Sequence, residues 1–338
     1  MVRRYELGDA PGLESWRLTS VPRPGLGPSD VRVRVRACSL NYRDLLVATG
    51  AYGGAWTPGL VPLSDGAGEV VEVGADVRSF AVGDRVAGNF FRDWVEGEIT
   101  PEKANTALGG ALDGMLAEEV VLPAHALVRV PDHLSFEEAA CLPCAGLTAW
   151  NALFEAGSVR PGETVLLQGT GGVSVLALQM AKAAGVRTIV TSSSDEKLER
   201  ARSLGADETI NYRSEPDWDK AARRLTDGRG VDLVLEVGGA DTLPKSLKAV
   251  RSAGRVVSIG LLSGAKVEFP VGFLLTKNLT LRGVYVGPVR MFEAMNRSLA
   301  LSGIRPMVDR VFTFEEAPAS LAYLKSGAHF GKVVIRVG

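Results

Sequence analysis

Between residues 160 and 260 the sequence alternates between short apolar runs and segments with helical periodicity, and this alternation limits the fold more than any other feature. TVLLQ and VDLVLEV are two of the apolar runs, and VSVLALQMAKAAG is one of the helical segments. Strands that are apolar throughout are expected where helices cover both faces of a sheet. The pattern therefore predicts an α/β fold with a doubly wound parallel sheet in this part of the chain.

The first strand of this region leads into a glycine-rich turn, LLQGTGGVSVLALQ, at residues 166–179. Gly169, Gly171 and Gly172 stand between the strand and the following helix. In such a turn the first glycine allows a tight bend, the second lets the backbone approach a pyrophosphate, and the helix N-terminus supplies unpaired N–H donors. Ser174 stands where a third glycine is expected, and its small side chain is a tolerable departure. The context predicts a dinucleotide site, with a purely structural turn as the alternative.

The end of the second strand bears on which dinucleotide binds. An NAD site usually has Asp or Glu about 20 residues after the first glycine, where the carboxylate accepts hydrogen bonds from ribose hydroxyls. Here the strand ends in Ser192 and Ser193, and Lys197 follows one helical turn later. Hydroxyl and ammonium donors favour a 2′-phosphate, so the sequence predicts NADP(H), with Tyr212 as a further candidate donor. The alternatives are a solvated helix face for Lys197 and a hydrophobic strand-end cap for Tyr212.

Residues 1 to about 125 show a different pattern, in which short β-rich runs are separated by Gly, Pro and Asp. DVRVRVRAC and GEVVEVG are examples of these runs. The pattern is typical of a strand-and-turn domain. A chain of 338 residues also suits two domains, because single cores usually stop growing at ~250 residues.

Composition and charge exclude several classes of partner. A formal net charge of −1, with 23% charged and 46% hydrophobic residues, gives no electrostatic bias toward nucleic acid or anionic membranes. No apolar run reaches the ~18 residues that a membrane-spanning helix needs, and MVRRYELGDAPG lacks the apolar segment of a signal peptide. Three cysteines cannot form a disulfide framework. We therefore expect a cytoplasmic protein that acts on a small molecule and has no nucleic-acid or membrane partner.

Several motifs in combination resemble the medium-chain dehydrogenase/reductase superfamily over nearly the whole chain. They are GEVVEVGADVRSFAVGDRV, EEAACLPCAGLTAWNAL, the glycine turn and the terminal FGKVVIRV. CSLNYRDLLVATGAY and TSSSDEKLERARSLGADETINYR further resemble its zinc-independent branch of quinone oxidoreductases and enone reductases. The resemblance implies a GroES-like β-barrel catalytic domain of residues 1–122 and 290–338, a Rossmann domain of residues 123–289, and an active-site cleft where they meet.

The same resemblance provides a test for zinc. Zinc alcohol dehydrogenases of this superfamily bind the catalytic metal through a Cys, a His and a second Cys, and this chain has Asn41, Ser64 and Cys144 at those positions. A catalytic zinc site takes three protein ligands, and Cys144 with Asp65 would still fall short. Residues 89–124 contain none of the four cysteines that the structural zinc of that branch requires. We therefore expect no metal.

Without zinc, polar side chains must stabilise the negative charge that develops on the acceptor during hydride transfer. The resemblance implies that Asn41 and Tyr52 are the catalytic residues, with water as an alternative proton donor. It also implies substrate contacts from Tyr42, Arg43 and Leu46, although Arg43 could serve only to hold its turn. Further cofactor contacts implied by the resemblance are Thr148, Val173, Val237, Gly260, Leu261, Leu262, Val284, Val286 and, over the phosphates, Lys332.

These observations favour an NADPH-dependent reductase of quinones or α,β-unsaturated carbonyls. One alternative is an alcohol or aldehyde oxidoreductase, which the missing zinc ligands disfavour, and another is a non-catalytic NADPH-binding protein. The segment LTLRGVYVG, residues 279–287, is expected to be the last strand of the nucleotide sheet, with an exposed apolar edge. Pairing of this edge with its copy across a two-fold axis would cover it, so we expect a homodimer.

Overall fold

The computed structural model describes residues 1–53, 56–269 and 271–338. The strands, numbered in chain order, are β1 (Val2–Leu7), β2 (Trp16–Val21), β3 (Asp30–Ser39), β4 (Asp65–Val73), β5 (Arg85–Gly88), β6 (Glu119–Pro123), β7 (Leu127–Arg129), β8 (Thr164–Gln168), β9 (Arg187–Ser192), β10 (Glu208–Asn211), β11 (Val231–Glu236), β12 (Val250–Ser258), β13 (Thr280–Gly283), β14 (Val308–Thr313) and β15 (Lys332–Arg336). The α-helices are α1 (Tyr42–Ala48), α2 (Pro101–Ala104), α3 (Phe136–Ala139), α4 (Leu147–Trp150), α5 (Gly172–Ala183), α6 (Asp195–Ser203), α7 (Trp218–Arg224), α8 (Leu243–Ala249), α9 (Gly272–Thr276), α10 (Val289–Ser302) and α11 (Ala317–Ser326). Within the described ranges, no helix is both long and apolar enough to cross a bilayer.

The chain divides into two compact units, one of Met1–Leu147 and Val286–Gly338 and the other of Thr148–Tyr285. The first unit extends beyond the predicted boundary at residue 122, because β7 pairs with β5 and α3 packs against β3 and β4. The second boundary follows residue 285, whereas the sequence predicted residue 289. The first unit is therefore assembled from two separate segments of the chain.

The first unit is built on a mainly antiparallel sheet with the order β14, β15, β3, β4, β5, β7, and β6 also pairs with β3. Valine and arginine alternate along the first half of β3, and Val31, Val33 and Val35 are buried in the core of this unit. The C-terminal strand β15 lies beside β3, with Ile335 opposite Cys38. This pairing brings the start of β15 next to the end of β3.

The second unit contains a six-stranded sheet with the order β10, β9, β8, β11, β12, β13. Every pair of neighbouring strands is parallel, which confirms the predicted parallel sheet. All residues of β8 and β11 are buried, as the apolar runs predict. The strand order reverses between β8 and β11, and ligands of such sheets bind beyond the carboxyl ends of the strands at this point.

Candidate active site

The glycine turn joins the carboxyl end of β8 to α5. Gly169 has a φ of +73°, which favours glycine, and no atom lies within 4 Å of the position that a Cβ would take there. Gly171 is the N-cap of α5, and a Cβ at this residue would also meet open space. The buried Ser174 hydroxyl donates to the carbonyl oxygen of Gln168 over 2.6 Å. The serine thus ties the helix to the strand end, and the open turn fits a pyrophosphate.

The residues predicted to select the nucleotide lie at the ends of two neighbouring strands. The Tyr212 backbone N–H donates to the Ser192 carbonyl oxygen over 3.0 Å, so these strand ends adjoin. Ser192 is buried and its hydroxyl accepts from the Ser194 backbone N–H over 3.3 Å, whereas Ser193 is half-buried and Tyr212 is exposed. Lys197 is half-buried in the first turn of α6, which Ser194 caps. The structure therefore groups Ser192, Ser193 and Tyr212 at one sheet edge.

An acidic residue also lies at this edge. Asp195 begins α6 and is exposed, and its Oδ1 accepts from Asn211 Nδ2 over 2.7 Å. Sequence reasoning gave this carboxylate no role. A carboxylate near a ribose favours its hydroxyls and disfavours a phosphate, so Asp195 opposes the effect that the sequence predicts for Lys197.

A fully buried carboxylate, Glu236, ends β11 and was missed by sequence reasoning. Its Oε1 accepts from the backbone N–H groups of Gly238 and Gly239 over 2.8 and 3.0 Å. Its Oε2 accepts from Gln168 Nε2 over 2.8 Å, and Gln168 Oε1 accepts from the Val237 N–H over 3.1 Å. This network holds the ends of β8 and β11 together. The sequence signal that could have identified this network is a polar residue at the end of each of two apolar strands, Gln168 in β8 and Glu236 in β11.

Several predicted cofactor contacts lie beyond the carboxyl ends of the strands in the second unit. A Cβ at Gly260 would stand 2.4 Å from the Val237 carbonyl oxygen, so glycine lets the two loops touch. Leu261 and Leu262 follow and are 59% and 51% exposed. The Val284 backbone N–H donates to the carbonyl oxygen of Ser258 over 2.9 Å, which continues the pairing of β13 with β12.

The remaining predicted cofactor contacts differ in burial and in the unit to which they belong. Gly172 and Val173 form the first turn of α5, and Val173 is half-buried. Thr148 is buried at the start of the second unit. Val286 belongs to the first unit and has a φ of +56°, which is rare for a β-branched residue.

In the first unit, Asn41 lies between β3 and α1 and is bound to a buried lysine. Asn41 Oδ1 accepts from Lys332 Nζ over 2.6 Å, and Lys332 Nζ also donates to the Leu40 carbonyl oxygen over 2.6 Å. Asn41 Nδ2 is buried and has no hydrogen-bond partner among the described residues. Lys332 was predicted to lie over the nucleotide phosphates. The pairing of β15 with β3 places its buried ammonium beside Asn41 in the first unit.

Ser64 and Cys144, which stand where zinc relatives have their other two ligands, are both hydrogen-bonded to the buried Asp65. The Ser64 hydroxyl donates to Asp65 Oδ1 over 2.7 Å, and Asp65 Oδ2 accepts from the Cys144 backbone N–H over 3.1 Å and lies 3.9 Å from Lys332 Nζ. Burial raises the pKa of the Cys144 thiol, and the Asp65 charge raises it further. In the described ranges, no three His, Cys, Asp or Glu side chains form a group that could hold a metal.

These donors do not fit a zinc ion. The amide oxygen of Asn41 is already bound to an ammonium group, and the Ser64 hydroxyl donates to a carboxylate. Cys144 is the only cysteine at these positions, and a catalytic zinc takes three protein ligands. The buried positive charge of Lys332 would further repel a cation.

Arg43, a predicted substrate contact, is buried against two aromatic rings. Its guanidinium carbon lies 4.7 Å from the ring centroids of both Tyr52 and Phe90. Its Nη1 donates to the Leu108 carbonyl oxygen over 2.9 Å and lies 3.8 Å from Asp44 Oδ1. Arg43 therefore packs Tyr52, the predicted catalytic residue, against the segment that carries Asn41.

Helix α1 carries the other predicted substrate contacts. Tyr42 is 49% exposed and Leu46 is half-buried, and the Leu46 carbonyl oxygen accepts from the Tyr52 backbone N–H over 3.1 Å. Asp44 Oδ2 accepts from the Asn41 backbone N–H over 2.7 Å, which fixes the start of the helix. Burial raises the pKa of Asp44 to about 6, although the neighbouring Arg43 lowers it.

The glycine turn on a parallel sheet defines a dinucleotide-binding protein, and comparison with known proteins identifies its family. Residues 27–132 match the alcohol dehydrogenase GroES-like domain, and residues 172–300 match the zinc-binding dehydrogenase family. A zinc-type alcohol dehydrogenase-like protein of Schizosaccharomyces pombe is 46% identical, over 92% of this chain and 92% of its own length. A quinone oxidoreductase of Pseudomonas aeruginosa is 39% identical, over 74% of this chain and 71% of its own.

A solved structure of an NAD-dependent alcohol dehydrogenase superposes with a TM-score of 0.91 and 36% identity, over 99% of this chain and 100% of that chain. The chain therefore belongs to the medium-chain dehydrogenase/reductase superfamily. Its two-domain fold is the one that the sequence predicts, a GroES-like domain with a Rossmann-type domain. The protein is an oxidoreductase of this superfamily, whose members use a nicotinamide dinucleotide.

Proposed function

We propose that the protein is a zinc-independent, NADPH-dependent oxidoreductase that reduces quinones or α,β-unsaturated carbonyls. The observation that carries this proposal is the set of side chains at the positions where zinc relatives have their metal ligands. They are an amide whose oxygen accepts from the buried Lys332 ammonium, a hydroxyl that donates to Asp65 and a single thiol, and this set lacks the three protein ligands of a catalytic zinc. The similarity to a bacterial quinone oxidoreductase also supports the proposal.

The proposed reaction follows from the hydride or hydrogen bond that each group can donate. The reduced nicotinamide, when bound, supplies the hydride. The N–H groups at the start of α5 would bind the pyrophosphate, and Ser193 and Lys197 would contact a 2′-phosphate. Asn41 Nδ2 would donate to the acceptor oxygen, with Tyr52 as a second donor. A conjugated acceptor yields a delocalised enolate or hydroquinone anion, which such neutral donors can stabilise.

Oxidation of a plain alcohol is the second candidate function, because one similar protein is named as alcohol dehydrogenase-like and another as an NAD-dependent alcohol dehydrogenase. An unactivated alcohol benefits from a Lewis acid that stabilises its alkoxide, and the Asn41, Ser64 and Cys144 donors do not fit one. We therefore expect slow alcohol oxidation. An NAD-dependent reaction is favoured by Asp195 and by the name of the solved relative, whereas the absence of an acidic residue at the end of β9 favours NADP(H).

The test is a panel of quinones, enones, enoyl thioesters, aldehydes and alcohols, assayed with both nucleotides before and after prolonged chelation. We expect NADPH-dependent reduction of quinones or enones that chelation does not change. Tyr52→Phe and Asn41→Ala should lower turnover and leave NADPH affinity nearly unchanged. Stoichiometric zinc by elemental analysis, together with chelator-sensitive alcohol oxidation, would establish the alcohol dehydrogenase function instead.

A further inference from the structure

The ammonium of Lys332 is fixed on several sides inside the first unit. Only 3% of Lys332 is exposed, and its Nζ donates to the Leu40 carbonyl oxygen and to Asn41 Oδ1, each over 2.6 Å. The carboxylate of Asp65 lies 3.9 Å away and compensates the charge. A lysine that is buried and paired in this way is held in one place, whereas a lysine that binds a ligand phosphate usually reaches it through solvent.

This contact determines which way the Asn41 amide points. An ammonium group can only donate, so the carbonyl end of the amide must face Lys332 and the NH2 end must face away. That NH2 end is buried and has no hydrogen-bond partner among the described residues. Buried donors in native proteins are nearly always satisfied, so this donor indicates a site for an acceptor atom. A positive charge on the amide oxygen also makes the N–H groups stronger donors.

We propose that Lys332 is a positioning residue for the reaction, which orients and polarises the Asn41 amide so that Nδ2 donates to the acceptor's carbonyl oxygen. This role rests on the proposed function, in which Asn41 is the donor to that oxygen. The Lys332 ammonium does not touch the substrate, because the Asn41 amide lies between them.

The kinetic test replaces Lys332 by Met, which keeps the length of the side chain and removes the charge. We expect turnover with a conjugated acceptor to fall at least ~10-fold, with the dissociation constant of NADPH unchanged within about twofold. In an Asn41→Ala background the same replacement should cause no further loss, because Lys332 acts through Asn41. Lys332→Arg should restore part of the turnover, and Lys325→Met, on the surface, should change nothing.

Two outcomes of this test would overturn the proposal. One is a weaker NADPH complex with normal turnover, which would make Lys332 a phosphate contact. The other is an equal loss of turnover with and without the Asn41 side chain. If Lys332→Met does not fold because Asp65 loses its counter-charge, Lys332→Met with Asp65→Asn provides a neutral pair for the same measurements.

A second measurement does not depend on activity. The side-chain NH2 signals of Asn41, assigned by their loss in Asn41→Ala, are followed by ¹H–¹⁵N NMR in the unliganded protein. We expect a clear upfield shift in Lys332→Met and a smaller shift in Lys332→Arg. Unchanged signals in Lys332→Met would overturn the proposal whatever the activity. A wild-type protein that reduces no conjugated acceptor would overturn the proposed function, while the signals would still decide whether Lys332 controls Asn41.

Discussion

Asp44 shows at the scale of one residue how burial changes a titratable group. Its carboxylate is 2% exposed, and the neighbouring Arg43 only partly compensates its desolvation. Burial raises the pKa of Asp44 from 3.8 to about 6. The folded chain therefore binds this proton more tightly than the unfolded chain. The stability that Asp44 contributes is fully present below pH 4 and is lost as the pH rises through about 6.

This titration predicts the stability of an Asp44→Asn variant. A rise from 3.8 to about 6 corresponds to about 3 kcal/mol of unfolding free energy between pH 4 and pH 7. The free energy of unfolding of the wild type should fall by that amount relative to Asp44→Asn across this range, as measured by denaturant titration. Asp76→Asn, at an exposed site, should follow the wild type. Parallel profiles for the wild type and Asp44→Asn would contradict the raised pKa.

Lys197 provides the residue-scale prediction on cofactor choice. If its ammonium binds the 2′-phosphate, Lys197→Ala loses a charge-assisted hydrogen bond of ~1.5–3 kcal/mol, so the dissociation constant of NADPH should rise ~10-fold or more. The dissociation constant of NADH should not change. Both constants are measured by fluorescence titration, with Lys197→Arg as the charge-preserving control. Equal affinity of the wild type for NADPH and NADH would show that the serine-ended strand does not select the phosphate.

At the scale of elements, the buried network around Glu236 joins two strands that are not neighbours in sequence. Glu236→Gln keeps the shape but replaces one acceptor oxygen by an NH2 group, which would face either the two backbone N–H donors or the side-chain NH2 of Gln168. Leaving such a donor unsatisfied should lower the free energy of unfolding by about 1–3 kcal/mol and weaken dinucleotide binding, because the loop after β11 loses its support. Thermal unfolding and titration with NADPH measure the two effects. The exposed Glu199→Gln is the control, and unchanged binding in Glu236→Gln would contradict the role of the network.

The elements also show how far the sequence could predict the fold. Apolar runs and helical periodicity predicted the parallel sheet, because both are local signals. Helix α8 ends at Ala249, although the helix-compatible segment TLPKSLKAVRSAG continues to residue 254, because β12 begins at Val250, which pairs with Val231. Strand pairing is a long-range interaction that local periodicity does not contain. The contact of Lys332 with Asn41 was missed for the same reason, because it depends on the pairing of β15 with β3.

At the scale of the whole molecule, β13 is the edge of the parallel sheet and pairs only with β12 among the described residues. All four of its residues are exposed. The nearby side chains of Val271 and Leu275 are 63% and 79% exposed. Soluble proteins usually cover such an edge, so we propose that two copies of the chain pair through β13.

Light scattering at micromolar concentration should therefore give twice the 35.8 kDa mass of the chain. Leu281→Lys should shift this mass toward the monomer, because two lysines would then be buried close together at the paired edge. Leu301→Lys, at a 90% exposed position of the other unit, is the matched control. A wild-type protein with the mass of one chain would contradict the dimer.

The pairing of β3 with β15 also determines when this site can form as the chain is synthesised. Asn41 and its ammonium partner are separated by 291 positions in the chain. At about 5–20 residues per second, a ribosome needs roughly 15–60 s to translate the intervening sequence. The second unit is complete in the nascent chain during this time. The first unit still lacks β15, which pairs with β3, and the lysine that binds Asn41. A chain that terminates before Lys332 would thus contain the whole second unit and lack the ammonium group that binds Asn41.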